Sequence, residues 1–172
     1  MNLFIGNAIM LVASFIMVCV GLMKTRKQIL VWQTIQIAMM GVASIFLGTI
    51  PGMIANIVGV TRNLLSYNSK LNRTAQVLLS FAAVVSTLIF NNIGWLGFLP
   101  IAAAVSYTLC MNTPDVKKLK WLIFATLLLW IVHDFAIQSY ISGAFNVFSA
   151  ITCLIGIFRK ENSDGIRPDK EN

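Results

Sequence analysis

Few side chains in this sequence can do chemistry, and they fall at helical spacings. Asp134 is the one acid inside an apolar run; His133 adjoins it, and Trp130 lies four residues earlier on the same helical face. A neighbouring histidine and carboxylate can relay a proton. Gly52, Asn56, Gly59 and Asn63 follow the spacing i, i+4, i+7, i+11, and Ser142, Asn146, Ser149 and Cys153 repeat it. Each set makes a small or polar stripe along one helix, carrying one matched amide, Asn56 or Asn146. Gln33 and Gln36, at i and i+3, suit either a polar pathway or bonds between helices. No G-x-S-x-G, H-E-x-x-H or Gly-rich phosphate loop is present. Cys19, Cys110 and Cys153 form no C-x-x-C pair and read as small apolar core residues. These features point away from an enzyme, with no cofactor and no metal expected.

The elements that must position these residues follow from composition. Of 172 residues 58% are apolar and only 11% charged, with a mean hydropathy of +0.80. A soluble domain carries about 25% charged residues, so this chain lacks the polar surface to cover a core in water. At about 20 apolar residues per bilayer crossing, seven crossings use roughly 140 and leave the rest for turns and tails. Apolar runs fall at 3–23, 29–47, 50–67, 74–90, 93–111, 119–138 and 140–158. Gly48–Gly52 and Asn91–Gly94 read as tight uncharged turns. The first run is no signal peptide, because its charges follow the apolar stretch. The expected fold is therefore an all-α polytopic membrane protein of seven helices.

Charge sets the expected orientation. The thirteen Lys and Arg fall in four places: Lys24, Arg26 and Lys27; Arg62, Lys70 and Arg73; Lys117, Lys118 and Lys120; and Arg159, Lys160, Arg167 and Lys170. With seven crossings all four places share one side, and Lys and Arg collect on the cytoplasmic side. The N-terminus is expected outside and the C-terminus inside. The net charge of +7 then serves topology and contact with anionic headgroups, at about 1 kcal/mol per basic residue near the surface, not nucleic acid. Residues 161–172 read as a polar cytoplasmic tail.

That layout also sets depths. With the sixth segment leaving the membrane near Gln138, Asp134 lies about one turn from the outer interface at 1.5 Å per residue. A solvated carboxylate is favoured there, although ionisable groups at depth point to function. Arg62, about a turn from the inner end of its segment, is explained by snorkelling. Neither asparagine-bearing segment is expected to carry a counter-charge at the level of the asparagines.

Seven segments with an odd middle one suggest two parallel three-helix repeats, 1–67 and 93–160, around a linker helix at 68–92. Ile5-Gly6 opens the first segment and Ile93-Gly94 the fifth; Ile50-Pro51-Gly52 opens the third and Ile141-Ser142-Gly143 the seventh. The spacing from Gly94 to Gly143 is three residues longer than that from Gly6 to Gly52, which the longer basic loop Met111–Lys120 accommodates.

This arrangement resembles the SWEET and PQ-loop transporter class, in which an asparagine on the third helix and a tryptophan on the second helix of each half line a central pocket. The resemblance implies that Asn56, Asn146 and Trp130 bind solute, with Met40 standing where the first half would carry its tryptophan. The basic turn Lys24–Gln28 and the segment Pro51–Asn56 with Thr61-Arg62-Asn63 resemble the YgjV-type bacterial inner-membrane family across nearly the whole chain. From these resemblances the expected function is carriage of a small polar solute by alternating access, with Asp134, His133, Gln33, Gln36 and Asn63 as pathway or coupling residues. The competing expectation is a membrane scaffold or regulator without transport.

Overall fold

A computed structural model describes residues 3–47, 50–91 and 94–159, and these are helical throughout apart from short connections. Seven α-helices follow in order: α1 (Leu3–Val20), α2 (Arg26–Leu47), α3 (Ile50–Tyr67), α4 (Arg73–Phe90), α5 (Phe98–Cys110), α6 (Val116–Ala136) and α7 (Tyr140–Phe158). They coincide with the seven expected segments, with ends shifted by a few residues. Gly48, Thr49, Asn92, Ile93 and residues 160–172, including the tail and its Lys160, Arg167 and Lys170, lie outside the described residues.

Local chemistry explains the shifted ends. The Asp115 carboxylate accepts hydrogen bonds from the N–H groups of Lys117 (2.8 Å) and Lys118 (3.3 Å). This cap, favoured because the first turn of a helix leaves its N–H groups unpaired, starts α6 before the basic cluster. Lys117, Lys118 and Lys120 therefore belong to the helix rather than to the expected loop. Lys120 is buried and donates to the Gly156 carbonyl on α7 at 3.1 Å. Asn72 caps α4 by accepting from the Ala75 N–H at 2.8 Å. Pro51 and Gly52, expected in a turn, fall in the first turn of α3, where a proline lacks only an N–H that would have no helical partner. A 3₁₀ turn at Gly94–Gly97, entered through left-handed Gly94 (φ +63°), shortens α5 to Phe98 onward.

The helices pack as a ring. Each helix contacts the next in sequence, and α7 closes the ring against α1. The closing seam is tight: Thr152 donates to the Val18 carbonyl at 2.7 Å, and Gly156 backs directly onto the Gly21 carbonyl. Gln76 ties α4 to α5 by donating to the carbonyls of Thr108 (3.0 Å) and Leu109 (3.2 Å).

Polarity runs inside out. Phe4, Phe81, Ile89, Trp95, Ile141 and Phe158 are largely exposed, whereas Gln33, Arg62, Asn63, Lys120, His133 and Asp134 are buried. In water that distribution would be unstable; in a bilayer, where polar groups must find partners within the protein, it is required. Four helices, α2, α4, α6 and α7, are each long and apolar enough to cross a membrane. The chain is a polytopic helical membrane protein. Cys153 is buried as expected of a core residue, but Cys19 and Cys110 sit on the exposed surface, where a weakly polar thiol is tolerated by lipid.

Candidate functional site

A cavity of about 500 Å³ occupies the ring, a volume within the range of small-molecule sites. Its wall comes from α1, α2, α3, α5, α6 and α7, and no described residue of α4 lines it. Asn56, Asn146, Trp130, Asp134, Gln33 and Gln36 all face it. His133 and Asn63 do not; each instead contacts a charged side chain that does.

One end of the cavity is built around Asp134. The α6–α7 connection turns through Gln138 in a left-handed conformation (φ 62°), with Ser139 N–H donating to the Asp134 carbonyl at 2.8 Å and Gln138 N–H to that of Phe135 at 3.1 Å. This helix-ending motif reverses the chain tightly and brings the start of α7 against the end of α6. The Asp134 Oδ2 consequently accepts from Ser142 Oγ (2.5 Å) and Asn146 Nδ2 (2.8 Å). Its Oδ1 lies 3.0 Å from His133 Nδ1, which carries the proton when the carboxylate is the acceptor. The His133 ring meets the Trp130 indole edge to face, with centroids 5.6 Å apart.

The expected solvated carboxylate is thus corrected: Asp134 is 4% exposed. Depth along one helix gave the wrong answer because the turn folds two donors of α7, Ser142 and Asn146, over the group beside its neighbour His133.

Arg62 dominates the other end. Snorkelling is corrected as well, since its side chain is only 8% exposed and turns into the cavity. Its guanidinium lies over the Tyr107 ring, 4.5 Å from the centroid, a cation–π contact strengthened by exclusion of water. Nε donates to Asn63 Oδ1 at 3.1 Å, and Tyr107 Oη donates to Gln33 Oε1 at 2.7 Å. Gln33 therefore lines the cavity and also bonds between helices. The cavity also carries a base and an acid: Arg62 lies six residues beyond Asn56 on α3, and Asp134 reaches Asn146 from α6, so charge comes near an asparagine although neither α3 nor α7 supplies it at that level.

The two asparagines have corresponding partners. Asn56 donates to Ser44 Oγ at 3.4 Å and Asn146 to Asp134, each acceptor standing twelve positions earlier on the preceding helix. The correspondence extends round the wall at a constant offset of ninety residues: Gln36 with Thr126, Met40 with Trp130, Ser44 with Asp134, Asn56 with Asn146, and Gly59 with Ser149. The unequal spacing drawn from Gly6 and Gly94 is not the register of the cavity, because the 3₁₀ turn takes up Gly94. Tyr107, at the same offset from Met17, is a wall residue that the sequence reading missed. Its signal was that offset, visible only once Asn56 and Asn146 are aligned.

A family model described as a bacterial inner membrane protein, Imp-YgjV, matches residues 4–164, nearly the whole chain. The chain belongs to this family. Its location is accordingly the bacterial inner membrane, and the apolar exterior of the ring fits a multi-pass membrane protein. No curated protein and no solved structure matches the chain.

Proposed function

We propose that this inner-membrane protein carries a small polar solute by alternating access, with two three-helix halves rocking about the central cavity. The observation that carries the reading is the wall itself: residues from α1–α3 and α5–α7 pair across the cavity at a constant offset, and no described residue of α4 lines it. Carriers built from repeats place solute at the repeat interface in this way. Within it, Asn56, Asn146 and Trp130 contact the solute. Asp134 with His133 forms the coupling candidate, because a carboxylate held by three donors reorganises if any one moves. The SWEET-like character of the architecture rests on the same paired wall. In this reading the protein has no catalytic activity, the N-terminus faces out, and Lys24, Lys27, Lys117 and Lys118 meet anionic headgroups at the cytoplasmic face.

Thiol labelling tests the reading. In a background with Cys19, Cys110 and Cys153 replaced by Ser or Ala, single cysteines are placed at Asn56 or Asn146. Both are expected to react with membrane-impermeant thiol reagents from water, and Lys118→Cys is expected to react only from the cytoplasmic side. Positions 56 and 146 closed to reagent from both sides would leave a scaffold or regulator as the better reading.

A further inference from the structure

The paired wall has two charged exceptions. Asp134 stands where the first half has Ser44, and Arg62 stands where the second half has Thr152, which bonds the Val18 carbonyl instead of facing the cavity. The two charges differ in how they are satisfied. Asp134 has three donors within 3.0 Å. Among the described residues Arg62 has no carboxylate partner: the acid–base contact found there is His133–Asp134, and the remaining described acid, Asp115, caps α6. A guanidinium within a membrane protein without a counter-charge is costly, and such groups mark solute and ion pathways.

The orientation of Arg62 narrows the chemistry of what would pair with it. Nε is held by Asn63 and one face of the guanidinium by Tyr107, which leaves the edge carrying the two terminal nitrogens. Nη2 lies 3.9 Å from the position a side-chain carbon would take at Gly59, itself part of the wall. Two parallel N–H donors on one edge match the two oxygens of a carboxylate. Arg62 lies about 7.5 Å from the inner end of α3 at 1.5 Å per residue, and its burial and its place in the cavity wall, not distance, turn it away from headgroups there.

We infer that the cavity takes a small monocarboxylate solute whose carboxylate pairs with Arg62. This rests on the carrier reading of the same cavity and names its solute class. The polar remainder of the solute faces Asn56 and Gln36, and Asp134, already satisfied by protein donors, does not require a cationic group on the solute.

The test uses the full-length purified protein in detergent, with sodium lactate and sodium benzoate as probes against lactamide, benzamide, sodium phosphate and sodium chloride at equal ionic strength. The carboxylates are expected to raise the melting temperature in a dose-dependent way, because a ligand that binds only the folded state stabilises it. Their amides and chloride are expected not to. Arg62→Gln is expected to raise the half-saturating concentration about tenfold to a hundredfold, the scale of a lost hydrogen bond to a charged group. Arg62→Lys, which keeps charge but loses the fork, is expected to fall between.

If Arg62→Gln does not fold, the Asn56→Cys protein decides with Arg62 in place: an anionic methanethiosulfonate should react faster than its cationic counterpart. No difference between carboxylates and amides, stabilisation by phosphate alone, or equal thiol rates would overturn the inference while leaving the carrier reading intact. A cysteine closed to both reagents at positions 56 and 146 would instead overturn the carrier reading beneath it.

Discussion

Asp134→Ala is expected to destabilise the protein by about 2–5 kcal/mol, because it strands three donors at once and each membrane hydrogen bond contributes about 0.6 and at most about 1.7 kcal/mol. Ser142, Asn146 and His133 would all lose a buried acceptor. Ser142→Ala removes one donor and should cost only a fraction of that. The comparison is made by denaturant unfolding in mixed micelles, followed by tryptophan fluorescence. Equal and small effects for the two variants would show that Asp134 is hydrated after all and not the centre of the polar cluster.

The second large effect concerns the seam that closes the ring. Gly156→Val places a branched side chain against the Lys120 ammonium and against the Gly21 carbonyl, a backbone group that cannot swing aside. Overpacking of this kind costs about 1–3 kcal/mol and occasionally more, and here it should also part α1 from α7 and break the Thr152–Val18 bond. Gly59→Ala is the control. Its added carbon would meet the side chain of Ile37 at 3.1 Å, which can shift, and Arg62 Nη2 at an ordinary contact distance of 3.9 Å. The expected order of melting temperatures is wild type, then Gly59→Ala, then Gly156→Val. A Gly156→Val protein as stable as the wild type would mean that the α1–α7 contact is not a structural closure.

The helices were legible in the sequence because each is an apolar run bounded by charge or turn residues, and in a bilayer that pattern has one regular solution. Asn56, Asn146, Trp130 and Gln36 were legible for a related reason: polar or amphipathic residues on apolar helices have to face protein or water. What stayed hidden was orientation around each helix. Arg62 and Asp134 each lie close enough to a helix end for interfacial contact to be the simplest account, and only neighbouring helices show that both turn inward. For Asp134 the deciding element is the left-handed turn at Gln138, a conformation that a glutamine gives no reason to expect. For Arg62 it is Tyr107, which lies forty-five residues away on α5 and becomes a partner only through the ring. Lys120 was missed in the same manner, since a lysine next to two others reads as part of a solvated loop until Asp115 is seen to start the helix before it.

The central claim, that two halves rock about a shared cavity, is tested most directly by pulsed electron–electron double resonance in liposomes. One pair of spin labels goes on Ile45 and Ile137, at the end of the ring where α6 meets α7, and another on Asn68 and Lys118 at the opposite end. These four side chains are exposed, so labels leave the packing undisturbed. Alternating access predicts two distance populations for each pair, with added sodium lactate or benzoate shifting their proportions in opposite directions at the two ends. A single, unchanging distance for both pairs, with and without solute, would contradict it.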